Sequence, residues 1–435
     1  MFRSKVSKFL EKIPVSSIVN GYKIKGIDKY FDVIQHEYTR IVKHGSSKHV
    51  RTTKNDKTKT QRTEHPRREA IKKTGTPSEL VTMTDAELDT WFNENDGRKL
   101  NLGSSDLFAY FFPSEIHTEI HQKFDIIDEH QIRYPRRDGK ILTINFTIEH
   151  SQNTALTPHE KIMAMMRTLI LGAIAPTLKT YDVVVYPSNS KKDFKNTTSE
   201  KKLGPSNVNS GVTTIYFDSN TTNKTTIFRR EELGKLLIHE LVHNLEFDFG
   251  FNDIDNITDL HKYFNVPRRS KILLNEAYTE TVAVIINAII CCIEGGKTLV
   301  SLEKFLKLEL MFNLFQTAKI LDFYGFSDAN EINMPDDTLG RFNQETNVLS
   351  YFYLKTALLH NLNNFMDFVD NNTYNFCLSS PQTLKVQVEF IELILSSTRQ
   401  EEFIRNLNDT MDYIRKNRET IPKDLSSTLR MTCVE

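Results

Sequence analysis

Apolar positions follow two successive rhythms along this chain, first alternating and then helical. After the turn signal Asp138-Gly139, residues Leu142, Ile144, Phe146 and Ile148 occupy every second position. That spacing predicts a hairpin whose second strand buries one face. Thr157 and Pro158 then supply an N-cap and a first helical residue, opening a helix that must stop before Pro176. "YDVVVY" (181–186) reads as a buried strand and "GVTTIYF" (211–217) as another. Helical spacing takes over from about Arg229 to Leu245 and again over roughly 271–293. Beyond Ser301 it is continuous, around 302–324, 346–369 and 382–417. The order predicts an α+β fold, with a mixed α/β subdomain over 79–250 and a mostly helical subdomain over 251–435.

The first 78 residues differ. Residues 1–42 are weakly amphipathic and predict an N-terminal helical segment. From 43 to 78 the chain has no aromatic residue and almost no large apolar one, so it cannot bury enough surface to offset its ordering entropy and reads as a flexible linker. Order returns at Thr84, where Glu87 three residues on completes a capping box.

Composition changes this picture little, and charge only locally. With 56 basic and 56 acidic residues the net charge is zero, so the whole molecule has no field that would gather nucleic acid or lipid. Between Lys43 and Lys73, however, eleven Lys or Arg face three acids. This linker is a candidate contact for nucleic acid or an acidic partner, although no aromatic residues stand among its charges as stacking platforms. Cys291 and Cys292 are adjacent while Cys377 and Cys433 are distant. That spacing suits neither a disulfide framework nor a Cys-x-x-Cys site, and predicts reduced thiols in an intracellular, cytoplasmic protein. The N-terminus lacks the apolar core of a signal peptide. The most apolar run, 281–293, is too short to cross a bilayer, so no membrane passage is expected.

Chemistry concentrates in "LLIHELVHNLEF" (236–247). His239 and His243 are four apart and stack on one helix face, directing two imidazoles to one point, and Glu240 projects beside them. His-Glu-x-x-His within a helix is the spacing of a zinc site with a glutamate general base. On the next helix, "LNEAYTETVA" places Glu276 and Glu280 on one face. Beside a divalent ion, Glu276 would ligate and Glu280 would fix the tautomer of a ligand histidine. Without one, they are a charged, exposed first turn. His261 competes as third ligand and Asp248 is a weaker rival. His150 and His159 have no assigned role.

His239-Glu240-x-x-His243 followed by Asn275-Glu276-x-x-x-Glu280 resembles the gluzincin arrangement of zinc metallopeptidases, the thermolysin-like clan. Two departures stand out: Glu280 occupies a position usually held by aspartate, and the gap between His243 and Glu276 is longer than in compact members. The Asn-, Lys-, Ile- and Phe-rich texture of 140–360 also resembles the zinc metalloproteinases ascribed to large DNA viruses. The first resemblance implies a zincin-like α/β subdomain with the metal at its junction with the helical one. Zn2+ held by His239, His243 and Glu276 would activate a water, with Glu240 as general base, to hydrolyse a protein or peptide, in the manner of an endopeptidase. It also implies that the strand 211–217 pairs with an extended substrate; the alternative is an ordinary member of the sheet. A second oxyanion donor is expected, and Tyr353, on one face with Thr356 and His360, is the candidate, with Tyr278 as an alternative. The competing reading of Tyr353 is a core aromatic whose hydroxyl finds a partner. Two other classes stay open: a non-proteolytic protein braced by zinc through a fourth ligand such as His261 or Asp248, and a nucleic-acid-associated assembly factor using 43–73. A viral origin would place the protein in the host cytoplasm or the virion.

Overall fold

The computed structural model describes residues 2–13, 23–45, 112–176, 180–194, 201–215, 222–249, 258–335, 340–378 and 383–434. The expected linker beyond Gly45, the capping box at Thr84 and Glu87, and the last two residues of the strand 211–217 lie outside them. The fold is α+β. One compact unit comprises Val33–Lys191 and Asn209–Leu245; the other comprises Met1–Asp32, Lys192–Val208 and Glu246–Glu435. The division falls after Leu245, and Met1–Asp32 and Lys192–Val208 group with the helical unit. Lys192–Val208 does so through bridges between Asp193 and Thr428 and between Leu203 and Gln344. The N-terminal piece does so through Phe9, whose ring meets Phe315 and Tyr413 edge-on, and through Tyr30, whose hydroxyl donates to Asp370 at 2.8 Å.

Among its described residues the α/β unit is built on five strands, β1 (Ile126–Pro135), β2 (Ile141–His150), β3 (Tyr181–Val185), β4 (Gly211–Thr214) and β5 (Asn223–Ile227), in the spatial order β1-β2-β3-β5-β4. β1 and β2 form the expected hairpin, turning through Gly139 at φ +77°, a left-handed backbone that glycine adopts without strain. β2 and β3 are parallel, as are β3 and β5. The first of these pairs is joined by the crossover helix Pro158–Ile174. Its N-terminus carries a full capping box: the Thr157 hydroxyl accepts from Glu160 N, and the Glu160 carboxylate accepts from Thr157 N at 2.8 Å. Arg230 grips the same carboxylate with two nitrogens, at 2.8 and 2.6 Å, fixing the chain that leads into the next helix, Leu233–Asn244. β4 pairs antiparallel with β5 and ends the sheet.

Buried in this unit is a titratable group that makes it sensitive to acid. His130 on β1 is 6% exposed, and burial pushes its pKa down to about 4 although Asp128 beside it pulls the other way. Its pKa is lower folded than unfolded, so the unfolded chain binds more protons and stability falls with pH across the window from about 6.5 to 4, by about 3 kcal/mol. His150 acts oppositely: burial lowers its pKa, but the Asp128 carboxylate 3.4 Å from its Nε2 and the Ser151 carbonyl outweigh that and raise it. His130→Leu should therefore flatten the loss of stability between these pH values, read as urea midpoints against pH; an unchanged slope would refute the assignment.

The helical unit centres on Leu274–Glu294, whose residues are buried on nearly every side. Among the described residues this helix has the length and apolarity to cross a membrane, and 83% of its apolar window is buried within the protein. It packs against Leu299–Tyr324 and Lys355–His360. The single helix expected over 346–369 is three pieces: a wide π-helical stretch Leu349–Leu354, then Lys355–His360, then Leu362–Asn372. The segment 382–417 likewise divides into Leu384–Thr398 and Glu401–Lys416. None of the four cysteines is in a disulfide.

Residues 425–434 form a strap held by buried polar side chains of this unit. Lys319 donates to the carbonyls of Leu425 and Thr428, both at 2.6 Å. Glu309 accepts from the backbone N–H groups of Cys433 and Val434, at 3.0 and 2.8 Å. Asn287 donates to Val434 O at 2.8 Å and Lys355 to Met431 O at 3.1 Å. Burial pushes the Lys319 ammonium down to about 7 and raises Glu309.

Candidate metal centre

Leu236, Leu237, Leu241 and Val242 anchor the helix Leu233–Asn244 in its unit, and the end of the helix is tied to β5. There Asn244 Nδ2 donates to Thr225 Oγ1 at 3.0 Å, and Asn223 Nδ2 donates to Asn244 O at 3.4 Å. On the helix, His239 and His243 present rings whose centroids are 4.9 Å apart and nearly perpendicular. His239 and Glu240 are buried, 5% and 6% exposed.

Edge strand β4 holds Glu240. The Thr213 hydroxyl lies 2.8 Å from the Glu240 carbonyl oxygen and 2.9 Å from Glu240 Oε2, so its proton can serve either. Two residues earlier, a Cβ on Gly211 would meet Glu240 Cγ and Oε1 at 2.8 Å. Glycine is what lets the carboxylate lie against the strand. Among the described residues the strand ends the sheet, which leaves one side of its backbone outside the ladder.

Glu276 stands in the first turn of Leu274–Glu294. Asn347 Nδ2 donates to Glu276 Oε1 at 3.2 Å and also lies 3.4 Å from the Tyr351 hydroxyl. One turn further on, Glu280 is buried and faces the Lys355 ammonium at 3.3 Å. Lys355 supplies the cation that two adjacent carboxylates called for. The signal for it was a lone lysine within the apolar run "YFYLKTALL" (351–359). Asn347 and Thr213 had no comparable signal, because a single amide or hydroxyl in sequence does not show which carboxylate it serves.

One donor atom from each of His239, His243 and Glu276 lies within 4.8 Å of the other two, and among the described residues this is the group of His, Cys, Asp and Glu side chains meeting that condition. Two imidazoles with one carboxylate suit a divalent transition ion, whereas calcium and magnesium favour oxygen-only sets. Around a tetrahedral ion with bonds of about 2.0–2.2 Å such donors stand about 3.4 Å apart, a contraction that side-chain torsions can supply. His261 and Asp248 are engaged elsewhere: the His261 ring bonds Ser270 O at 2.9 Å, and Asp248 accepts from Thr279 at 3.1 Å.

Tyr353, the expected oxyanion donor, has the surroundings of the competing reading, a core aromatic whose hydroxyl finds partners. It is fully buried and its hydroxyl is shared between Asn333 Oδ1 at 3.1 Å and Thr398 O at 3.2 Å. Burial drives its pKa far up. Its neighbours on the expected face are also committed, Thr356 to Thr317 and His360 to Asn406. Tyr278 is likewise buried and donates to Phe376 O. Tyr351 is linked to the candidate ligand Glu276 by hydrogen-bond contacts through Asn347.

No family model matches the chain, and no solved structure matches it. It is similar to an uncharacterized protein of Acanthamoeba polyphaga mimivirus, 26% identical over 221 residues, which cover 48% of this chain and 54% of that one. The chain thus spans about half the length of the curated relative it matches.

Proposed function

We propose that the chain is a zinc-dependent metallopeptidase that hydrolyses protein or peptide substrates. The observation that carries this reading is the convergence of donor atoms from His239, His243 and Glu276, with Glu240 adjacent in sequence and held by Thr213. Zinc in that set would lower the pKa of a water towards neutrality and polarise a carbonyl. Glu240 takes a proton from the attacking water and returns it to the departing amine. Thr213 and Gly211 keep its carboxylate aligned along β4, and Asn347 orients Glu276. The outer side of β4 offers backbone groups to an extended peptide, which would add to the sheet as a further strand. Tyr351 takes the donor role expected of Tyr353. The engagement of His261 and Asp248 argues against a closed, purely structural site with four protein ligands.

Zinc-reconstituted wild type and Glu240→Gln, incubated with a mixed peptide library, test the reading. Wild type should cleave, and Glu240→Gln should keep its metal while losing about 10²–10⁴-fold in rate. Equal cleavage by both proteins, or no cleavage by zinc-loaded wild type, overturns it.

A further inference from the structure

A second pair of histidines stands apart from these residues on a different helix. Ser114–Lys123 reads "SEIHTEIHQK", and its apolar residues Ile116 and Ile120 sink into a core with Phe112, Phe124, Val184, Tyr186 and Phe228. His117 and His121 each follow one of these isoleucines, so they form a parallel stripe at the helix edge, four residues apart. Their Nε2 atoms are 3.1 Å apart and their ring centroids 4.3 Å apart. Phe112 meets the His117 ring edge-on, with centroids 5.8 Å apart, which restricts its rotation.

Two imidazole nitrogens this close must share something between them. Two lone pairs would repel, and so would two N–H groups, so the pair holds either one proton or one cation. A divalent ion at bonds of about 2.0–2.1 Å separates neighbouring donors by about 3.0–3.4 Å, and the observed spacing falls inside that range. We propose that His117 and His121 chelate a divalent transition-metal ion, of the class of Cu2+, Ni2+ or Zn2+, through their Nε2 atoms. Water completes its coordination. Imidazole donors exclude calcium and magnesium, and the usual order of affinity makes Cu2+ the strongest occupant. With two protein ligands at the surface, the ion exchanges more readily than one held by three. Binding bridges successive turns of a helix that exists only in the folded state, so it stabilises that state by mass action.

The test uses the full chain, loaded with zinc and then titrated with Cu2+ alone, read by electron paramagnetic resonance and by thermal unfolding. Wild type should take up about one equivalent of Cu2+ showing two-nitrogen coordination, with a rise in melting temperature. His121→Ala and His117→Gln should each lose that signal and that rise while keeping zinc and an unchanged circular dichroism spectrum; His243→Ala should retain the Cu2+ signal. Persistence of the two-nitrogen signal in His121→Ala, or its absence from wild type, overturns the proposal and leaves the contact as an imidazole–imidazole hydrogen bond. Either result is independent of whether the chain hydrolyses peptides.

Discussion

Replacing Lys355 with methionine should destabilise the helical unit by about 3–5 kcal/mol, because it strips the cation from a glutamate that cannot reach water. Lys355 and Glu280 are 0% and 2% exposed at the side chain, with 3.3 Å between ammonium and carboxylate. Methionine nearly matches lysine in shape and so isolates the charge. The ammonium also supports Met431 O in the strap, so its loss removes one donor from each of two acceptors. Adding Glu280→Gln removes the stranded charge, and the double variant should recover more than half of the loss. Urea unfolding followed by circular dichroism measures both. A single variant within about 1 kcal/mol of wild type would show that water or another group reaches Glu280.

Removing a metal donor should have an effect of similar size on a different observable. Structural zinc binding is worth about 10–16 kcal/mol across its ligands, so one donor accounts for roughly 3–4 kcal/mol, or about 10²–10³-fold in affinity. His243→Ala and Glu276→Ala should therefore emerge from dialysis against a chelator with little metal, whereas wild type and Glu240→Gln keep about one equivalent. Elemental analysis reads this directly. Glu276→Ala is the decisive variant, since His239 and His243 share one helix but Glu276 stands 33 positions further along. Full retention by it would remove Glu276 from the set and point back to the loop around His261.

Much of the architecture was legible in the chain's periodicities, and the exceptions share physical causes. The alternation of Leu142 to Ile148 identified β2, and the apolar helices carrying His239 and Glu276 stood out by their burial-demanding composition. β5 did not: "NKTTI" (223–227) reads as a polar loop, yet all five residues are buried. Its polar side chains are accommodated by neighbours distant in sequence, such as Asn244 on Thr225, and no local pattern encodes such a partner. The wide turn Leu349–Leu354 was also invisible, since its composition is that of an ordinary core helix. That turn contains both Tyr351 and Tyr353, and which of two tyrosines faces which partner depends on a register that a uniform helical period gets wrong. Within the candidate site, the donors themselves were readable because metal chemistry restricts residue type and spacing. Thr213, Gly211, Asn347 and Lys355 were not, because any small or polar residue at the right place could have done their work.

The strap 425–434 has a consequence for how fast the helical unit can form. Helical assemblies usually fold quickly because their contacts are local. Here completion waits on hydrogen bonds that join residues 147 positions apart, Asn287 to Val434, and 125 apart, Glu309 to Val434. Until those loops close, Glu309 and Lys319 have no backbone partners in the interior, so the late steps carry the cost of drying charged groups before their bonds are made. Refolding of this unit should therefore resemble that of a non-local β structure in its rate, with a slow final phase in which the strap seats.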